Sequence, residues 1–326
     1  MSTKAKKGSK KIGNGKQRRA PHRAPAPRPP VKQHVAVEEA PAEAVVPPRV
    51  PVVAIGASAG GLEAFSLVLE GLTEDPGVAL VFVQHLAPQH DSALPTLLSV
   101  RTGLPVVQVS EGTHVEPDHV YVIPPNAQME IRDGELHLNP RPEDRTQYTP
   151  IDFFFRSLAE TAGAAAIGVV LSGSSSDGAA GLREIKAVGG ITIAQQPDTA
   201  RYDGMPRAAI ATQMVDLVLS PPDIAREILR IGRHPYVKLA RPRHDGDEVA
   251  IEDRELNQVI VLLRAASGID FAHYKTPTIK RRLQRRMVLH KMSDVRQYVE
   301  FLKATPDEGQ KLSQDEARRR MARWLK

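Results

Sequence analysis

The chain has 326 residues and is 41% hydrophobic, enough for a sizeable core and long enough for two domains. It contains no cysteine, which excludes a disulfide framework, a thiolate nucleophile and a cysteine-held metal. The net charge of +6 is concentrated at the front, where 11 of the 44 Lys and Arg precede the first acid, Glu38. The body that follows is mildly acidic, so nucleic acid is not the expected partner.

Residues 1–48 are basic, then rich in Pro and Ala, with no periodic apolar face. Such a segment cannot offset its ordering entropy and is expected to be a disordered tail. It lacks interleaved aromatics, which favours a solubilising or linking role over an anionic tether. No apolar run reaches the roughly 20 residues that cross a bilayer, and no secretory signal opens the chain. A cytoplasmic protein without membrane insertion is expected.

Between 50 and 231 apolar runs alternate with amphipathic stretches, the pattern of an α/β domain. Strands are predicted at 52–56, 78–84, 105–109, 119–123, 166–172, 191–195 and 215–219, and helices at 61–72, 92–102, 151–162, 178–188 and 222–231. Several strands are continuous Val/Ile/Leu runs, as buried parallel strands are. "MEIRDGELHL" instead alternates around Asp133-Gly134 and predicts an antiparallel hairpin at the sheet edge. Residues 233–248 read as a linker, and from 249 to 308 apolar positions recur at helical spacing. The fold class is therefore a doubly wound, mostly parallel α/β sheet with an antiparallel hairpin, followed by a small all-α domain. One helix in that second part carries Lys280, Arg281, Arg282, Arg285 and Arg286, either a surface for an acidic partner or a solvated basic face.

The first predicted strand runs into Gly56-Ala57-Ser58-Ala59-Gly60-Gly61. A dinucleotide cradle needs a middle glycine where Ser58 stands, and an acid after the second strand where Gln84 and His85 stand. No Walker lysine follows the turn either. Gly56 to Gly60 does match G-x-S-x-G, which presents a serine hydroxyl at the top of a sheet. The competing reading is that Ser58 merely caps the next helix.

A serine nucleophile needs a base and a group that orients it. His85 ends the second predicted strand, and Asp177 lies just beyond the strand at 166–172, so Ser58, His85 and Asp177 follow three strands at equivalent positions. Taken singly, His85 could be a surface residue and Asp177 a helix cap; taken together, a catalytic triad is the better reading. Asp91, His114 and His119 are misplaced for this chemistry, and His90 is close enough to keep in reserve. No pair of His or carboxylates has metal-ligand spacing, so neither metal nor cofactor is expected.

"VVAIGASAGGLEAF", "FVQHLAP", "GVVLSGSSSDGAAGL", "TIAQQ" and "DGMPRAAI" resemble, in order, the catalytic domain of the chemotaxis protein-glutamate methylesterases (CheB). The resemblance implies that Ser58 is the nucleophile, His85 the base and Asp177 its orienting acid. It also implies hydrolysis of glutamate γ-methyl esters on the cytoplasmic domain of a methylated chemoreceptor, with glutamine deamidation as a related activity and other chemosensory signalling proteins as further partners. Two positions depart from the family: Ala59 stands where Thr is frequent after the serine, and Ser174 where Met is frequent before the aspartate. These departures leave open an alternative, a catalytically weak scaffold or receptor-binding module. The family often carries an N-terminal phosphoacceptor domain, and only the basic tail precedes the esterase-like part here, so gating by such a domain is not expected. Residues 249–305 resemble the helical N-terminal domain of the chemotaxis glutamate methyltransferases (CheR), and 309–326 do not continue the match. The expectation is a truncated esterase-methyltransferase fusion without methyltransferase activity.

Overall fold

Alternate residues of the first strand, β1 (Val52–Ala57), enter different hydrophobic layers: Val53, Ile55 and Ala57 one, Val52 and Ala54 the other. That is the period-2 consequence of a pleat covered on both faces. The computed structural model describes residues 50–73, 75–85, 93–142, 144, 148–234, 253–267, 276–305, 307 and 308. The expected tail at 1–48, the linker beyond His234, the terminus at 309–326, and His90 and Asp91 lie outside the described residues.

β1 pairs in parallel with β2 (Ala79–Gln84) on one side and β8 (Ile167–Val170) on the other. Beyond β2 come β5 (Val120–Val122) and β3 (Val106–Gln108); beyond β8 come β9 (Ile191–Gln195) and β10 (Leu217–Leu219). All six pairings in this sheet are parallel. The chain builds outward from β1 in one direction, then returns to build from β8 in the other. The order therefore reverses at β1, a topological switch point where open α/β sheets place their sites.

Helices α1 (Gly61–Glu70), α2 (Leu94–Ser99) and α6 (Pro221–Arg233) cover one face. On α1, Phe65 stacks on Phe82 of β2 at 4.3 Å between ring centroids, which seats the helix after the glycine turn on the neighbouring strand. Helices α3 (Pro150–Ala162), α4 (Ala179–Ala187) and α5 (Gly204–Ala211) cover the other, with Phe154, Phe155, Leu182, Ile185 and Met205 fully buried.

Helix α5 was not among the predicted elements. Its Gly204 and Pro206 look like loop punctuation, but Pro206 falls in the first turn, where a missing N–H costs no helical bond. Helix α2 is shorter than its predicted span. The hairpin does not sit at the edge of the main sheet. With β4 (Thr113–His114), strands β6 (Ala127–Arg132) and β7 (Glu135–Pro140) form a separate three-stranded antiparallel sheet. Its apolar side, Met129, Ile131 and Leu136, packs in the α3 layer, and Ser157 and Thr161 of α3 hydrogen-bond the Ile131 backbone at 3.1 and 2.9 Å. A strand pair with one apolar face gains more by laying that face on a helix than by extending β3. The turn is as predicted, with Asp133 and Gly134 both at positive φ (51° and 85°).

Helices α7 (Asp253–Ser267), α8 (Thr276–Leu289) and α9 (Val295–Ala304) enclose a small core of their own that includes Leu256, Val259, Leu283 and Tyr298. The bases of α8 do not form one solvated face. Arg285 is 5% exposed; it donates to the Gly190 carbonyl at 3.2 Å and to Asp216 Oδ2 at 2.6 Å. Val288 of the same helix enters the core beneath α6. Arg286 turns the other way, to Glu308 at 2.5 Å, and His290 and Tyr298 reach the same carboxylate. Burial would raise the Glu308 carboxyl, but His290 and Arg286 hold it at about 2.

Asp216 thus joins the two parts. Its carboxylate is bonded by Lys186, Arg285 and the Thr192 amide and hydroxyl. Burial pushes its carboxyl up, but the charges of Arg285 and Lys186 outweigh this and hold it below the ordinary range. Its contribution is present above the unfolded pKa of about 4 and is lost only as pH falls through the depressed folded value. Arg285→Met leaves Lys186 and Thr192 in place, so the loss should fall somewhat below the roughly 3–5 kcal/mol typical of unpairing a buried charge. Urea unfolding of the full chain should show the helical part melting at lower urea in R285M than in the wild type; coincident, unshifted transitions would contradict this role for Arg285.

Candidate active site

β8, β1 and β2 are neighbours in the sheet, and the chain leaves each at the same edge. Ser58 follows β1, His85 follows β2, and Asp177 lies in the connection from β8 to α4. The Ser58 amide donates to the Ser172 carbonyl at 2.9 Å, and its own carbonyl accepts from Gly61 N at 2.9 Å and Gln84 Nε2 at 3.3 Å. The Ser172 hydroxyl donates to the Ala59 carbonyl and accepts from the Tyr202 amide, at 2.9 and 3.0 Å, tying the turn to the loop ahead of α5.

Ser58 is not a helix cap. The N-cap of α1 is Gly60, and no side chain bonds the first turn. The reversal also falls on Gly60, at φ 72°, whereas Ser58 is not among the residues with positive φ. A Cβ at Gly60 would lie 2.7 Å from Ser172 Oγ, so both conformation and space call for glycine there. The serine is presented without the backbone strain of a nucleophile elbow.

His85 Nε2 lies 3.0 Å from Asp177 Oδ2. The imidazole is a quarter exposed, with the Tyr148 ring 6.2 Å away, and Arg141 covers that tyrosine at 3.9 Å. Asp177 is 4% exposed. Its Oδ2 also accepts from Ile151 N at 3.1 Å, and its Oδ1 from Asp152 N and Gly178 N, both at 2.9 Å. Three backbone amides already reach its two oxygens, so the carboxyl acts as an acceptor and is placed to accept from His85 as well. His85 therefore donates from Nε2, and the lone pair on Nδ1 is left for another proton. Among the described residues no hydrogen bond joins Ser58 Oγ to His85; such contacts are often long in an unliganded site.

The helix that Asp177 caps is not the one the sequence suggests. Its carboxylate collects the first amides of α3, while the N-cap of α4 is Gly178 at φ 93°. The reciprocal partner was not foreseen: Asp152, on the first turn of α3, accepts from Gly178 N at 2.9 Å and Gly181 N at 2.6 Å. In sequence, "TPID" looks like any helix start with Pro and an acid in its first turn, and nothing in it names the second helix. His114 pairs with Glu135 of β7 in the small antiparallel sheet, and His119 with Glu116 in the connection that enters β5, the end of the main sheet away from Ser58. Among the described residues no cluster of His, Asp and Glu could hold a metal ion.

Residues 53–228 match the family of CheB methylesterases. The chain belongs to the CheB methylesterase family. Residues 254–315 match a second family, the all-alpha domain of CheR methyltransferase. A protein-glutamate methylesterase/protein-glutamine glutaminase of Myxococcus xanthus is 38% identical over 186 residues, covering 56% of this chain and 54% of that protein. A 104.1 kDa protein of Rhodobacter capsulatus is 35% identical over 227 residues, 64% of this chain and 24% of its own length, so that alignment is longer than the CheB match alone. The chain thus spans between a quarter and about half the length of these two relatives. The crystal structure of the Thermotoga maritima CheB methylesterase catalytic domain superposes with a TM-score of 0.52 at 26% identity, over 56% of this chain and 98% of that one. The switch-point edge that carries Ser58, His85 and Asp177 thus belongs to a CheB-type domain.

Burial pushes the Asp152 carboxyl up to about 6; the Gly181 amide pulls against this and the Asp177 charge adds to it. The folded pKa lies above the unfolded value of about 3.9, so the stabilisation is full below about pH 4 and is lost as pH rises through about 6. Asp152→Asn cannot ionise. Its urea midpoint should therefore rise relative to the wild type between pH 4.5 and pH 7.5; a constant difference across that window would contradict the shift.

Proposed function

We propose that the CheB domain hydrolyses glutamate γ-methyl esters on the cytoplasmic domain of a chemoreceptor, with Ser58 as nucleophile, His85 as base and Asp177 as the acid that orients the base. The observation that carries this reading is the His85–Asp177 contact at 3.0 Å, on the strand beside the one that delivers Ser58. His85 Nδ1 takes the hydroxyl proton as Oγ attacks the γ-carbonyl carbon. The bond to the methoxy oxygen breaks, that oxygen receives the proton from His85, and methanol departs. Water then attacks the acyl-serine by the same route, releasing the glutamate carboxylate and restoring the serine. The backbone N–H groups of Ala59 and Gly60, at the turn before α1, are suited to the oxyanion. The same route cleaves a glutamine amide with loss of ammonia, in keeping with the double name of the Myxococcus relative.

The family matches, over 53–228 and 254–315, support a division into a CheB-type domain at 49–232 and a CheR-type helical domain from 249 that are joined by a linker, but the second match runs past the end expected at 308, into the segment expected not to match. No helix of the described residues is long and apolar enough to cross a membrane, in keeping with action on the cytoplasmic part of a receptor. Ser58→Ala should reduce methyl-ester hydrolysis by at least a thousandfold while leaving thermal unfolding within a few degrees of the wild type. A fluorophosphonate should label Ser58 in the wild type. Retained turnover in S58A, or no adduct on Ser58, would overturn the assignment, and the latter would favour a non-catalytic scaffold.

A further inference from the structure

The N-termini of α3 and α4 meet behind the candidate triad, and each is capped by a carboxylate carried on the other's side of the junction. Asp177, just ahead of α4, accepts from Ile151 N and Asp152 N of α3. Asp152, on α3, accepts from Gly178 N and Gly181 N at the start of α4. The Gly178 N–H is common to both carboxylates, 2.9 Å from each. The junction leaves little room: a Cβ on Gly181 would lie 3.1 Å from Asp152 Cα and 2.5 Å from Phe155 Cβ, and one on Gly178 would lie 2.9 Å from Ile151 Cγ2. Neither helix caps its own first turn with an N-cap side chain.

We propose that Asp152 is a positioning residue for ester hydrolysis: by holding the Gly178 and Gly181 amides, it fixes the segment carrying Asp177 at the angle that seats His85. The reasoning follows the shared donor. With Asp152 present, Gly178 N–H is divided between two acceptors and α4 is pinned to α3 at two points. Without it, Gly181 N–H loses its acceptor and Gly178 N–H turns wholly to Asp177, so the segment can rotate and carry the carboxylate away from His85 Nε2. A base misplaced by an ångström costs about a hundredfold in rate. Asn at 152 keeps a carbonyl oxygen where Oδ1 stands, so the clamp requires the acceptor and not the charge.

This inference rests on the triad roles proposed above, and its test separates the two. In the full chain, hydrolysis of a peptide bearing a glutamate γ-methyl ester and the rate of fluorophosphonate labelling at Ser58 would be measured for D152A, D152N, D177N and D152A/D177N. D152A should lose roughly tenfold to a hundredfold in kcat and in labelling rate, with KM within about twofold. D152N should stay within a few-fold of the wild type. The double variant should be no slower than D177N by more than about twofold, because Asp152 acts through Asp177. Asp152→Glu moves the carboxylate outward by a methylene, serves if D152A fails to fold, and should be slowed similarly. Wild-type rates in D152A or D152E alongside an impaired D177N would overturn the proposal and leave the triad standing. So would losses that multiply in full in the double variant. A D177N enzyme at the wild-type rate would instead remove the triad reading, and this inference with it.

Discussion

A carboxylate shut away from water must find donors for both of its oxygens, and the candidate catalytic edge of this molecule is arranged around one that does. Asp177 takes two amides of α3, the amide of Gly178 ahead of α4, and the imidazole of His85. Helix N-termini are suited to this, since their first amides have no partners within the helix and carry partial positive charge, worth about 0.3–1 kcal/mol per favourable charge and up to about 2 when partly buried. An uncompensated buried carboxylate would cost more than any one of these contacts returns, so the two helices, the strand end and the histidine have to be placed together. The parallel sheet accomplishes this, because adjacent parallel strands release their loops at one edge.

Asp216 solves the same problem by other means. Its side chain too is almost fully buried, but its donors are two cationic side chains and a threonine, and it joins two parts of the chain. No imidazole is among these donors. What distinguishes the two sites is the histidine that Asp177 holds, with one ring nitrogen occupied and the other left to accept a proton.

The doubly wound parallel sheet and the common edge of Ser58, His85 and Asp177 were legible because each rests on local pattern: continuous apolar runs for buried strands, glycine at the turn, and polar residues where those runs stop; the strand order was not, because pairing is settled between segments far apart in the chain. Asp152 was not legible, because its meaning comes from the start of α4, 26 and 29 residues along the chain. The hairpin was recognised from Asp133-Gly134, but its docking on α3 depends on which neighbour offers an apolar surface, a question of tertiary packing. The five bases of α8 looked alike in sequence, and burial sorted them, sending Arg285 to Asp216 and Arg286 to Glu308. Ser58 as a cap was a fair local reading that failed because Gly60 took the cap position.

The Arg285 contact falls just ahead of β9 and β10, at Gly190 and Asp216, whereas Ser58 and His85 lie just past β1 and β2. In a parallel sheet these are opposite rims, separated by the length of the strands, roughly 15–20 Å for five or six residues. Effects of substitutions so far apart, without shared partners, usually add. The seam with the helical part can therefore be tightened, loosened or rebuilt over evolution, or by an engineer, while the chemistry at the far rim is left to vary on its own terms.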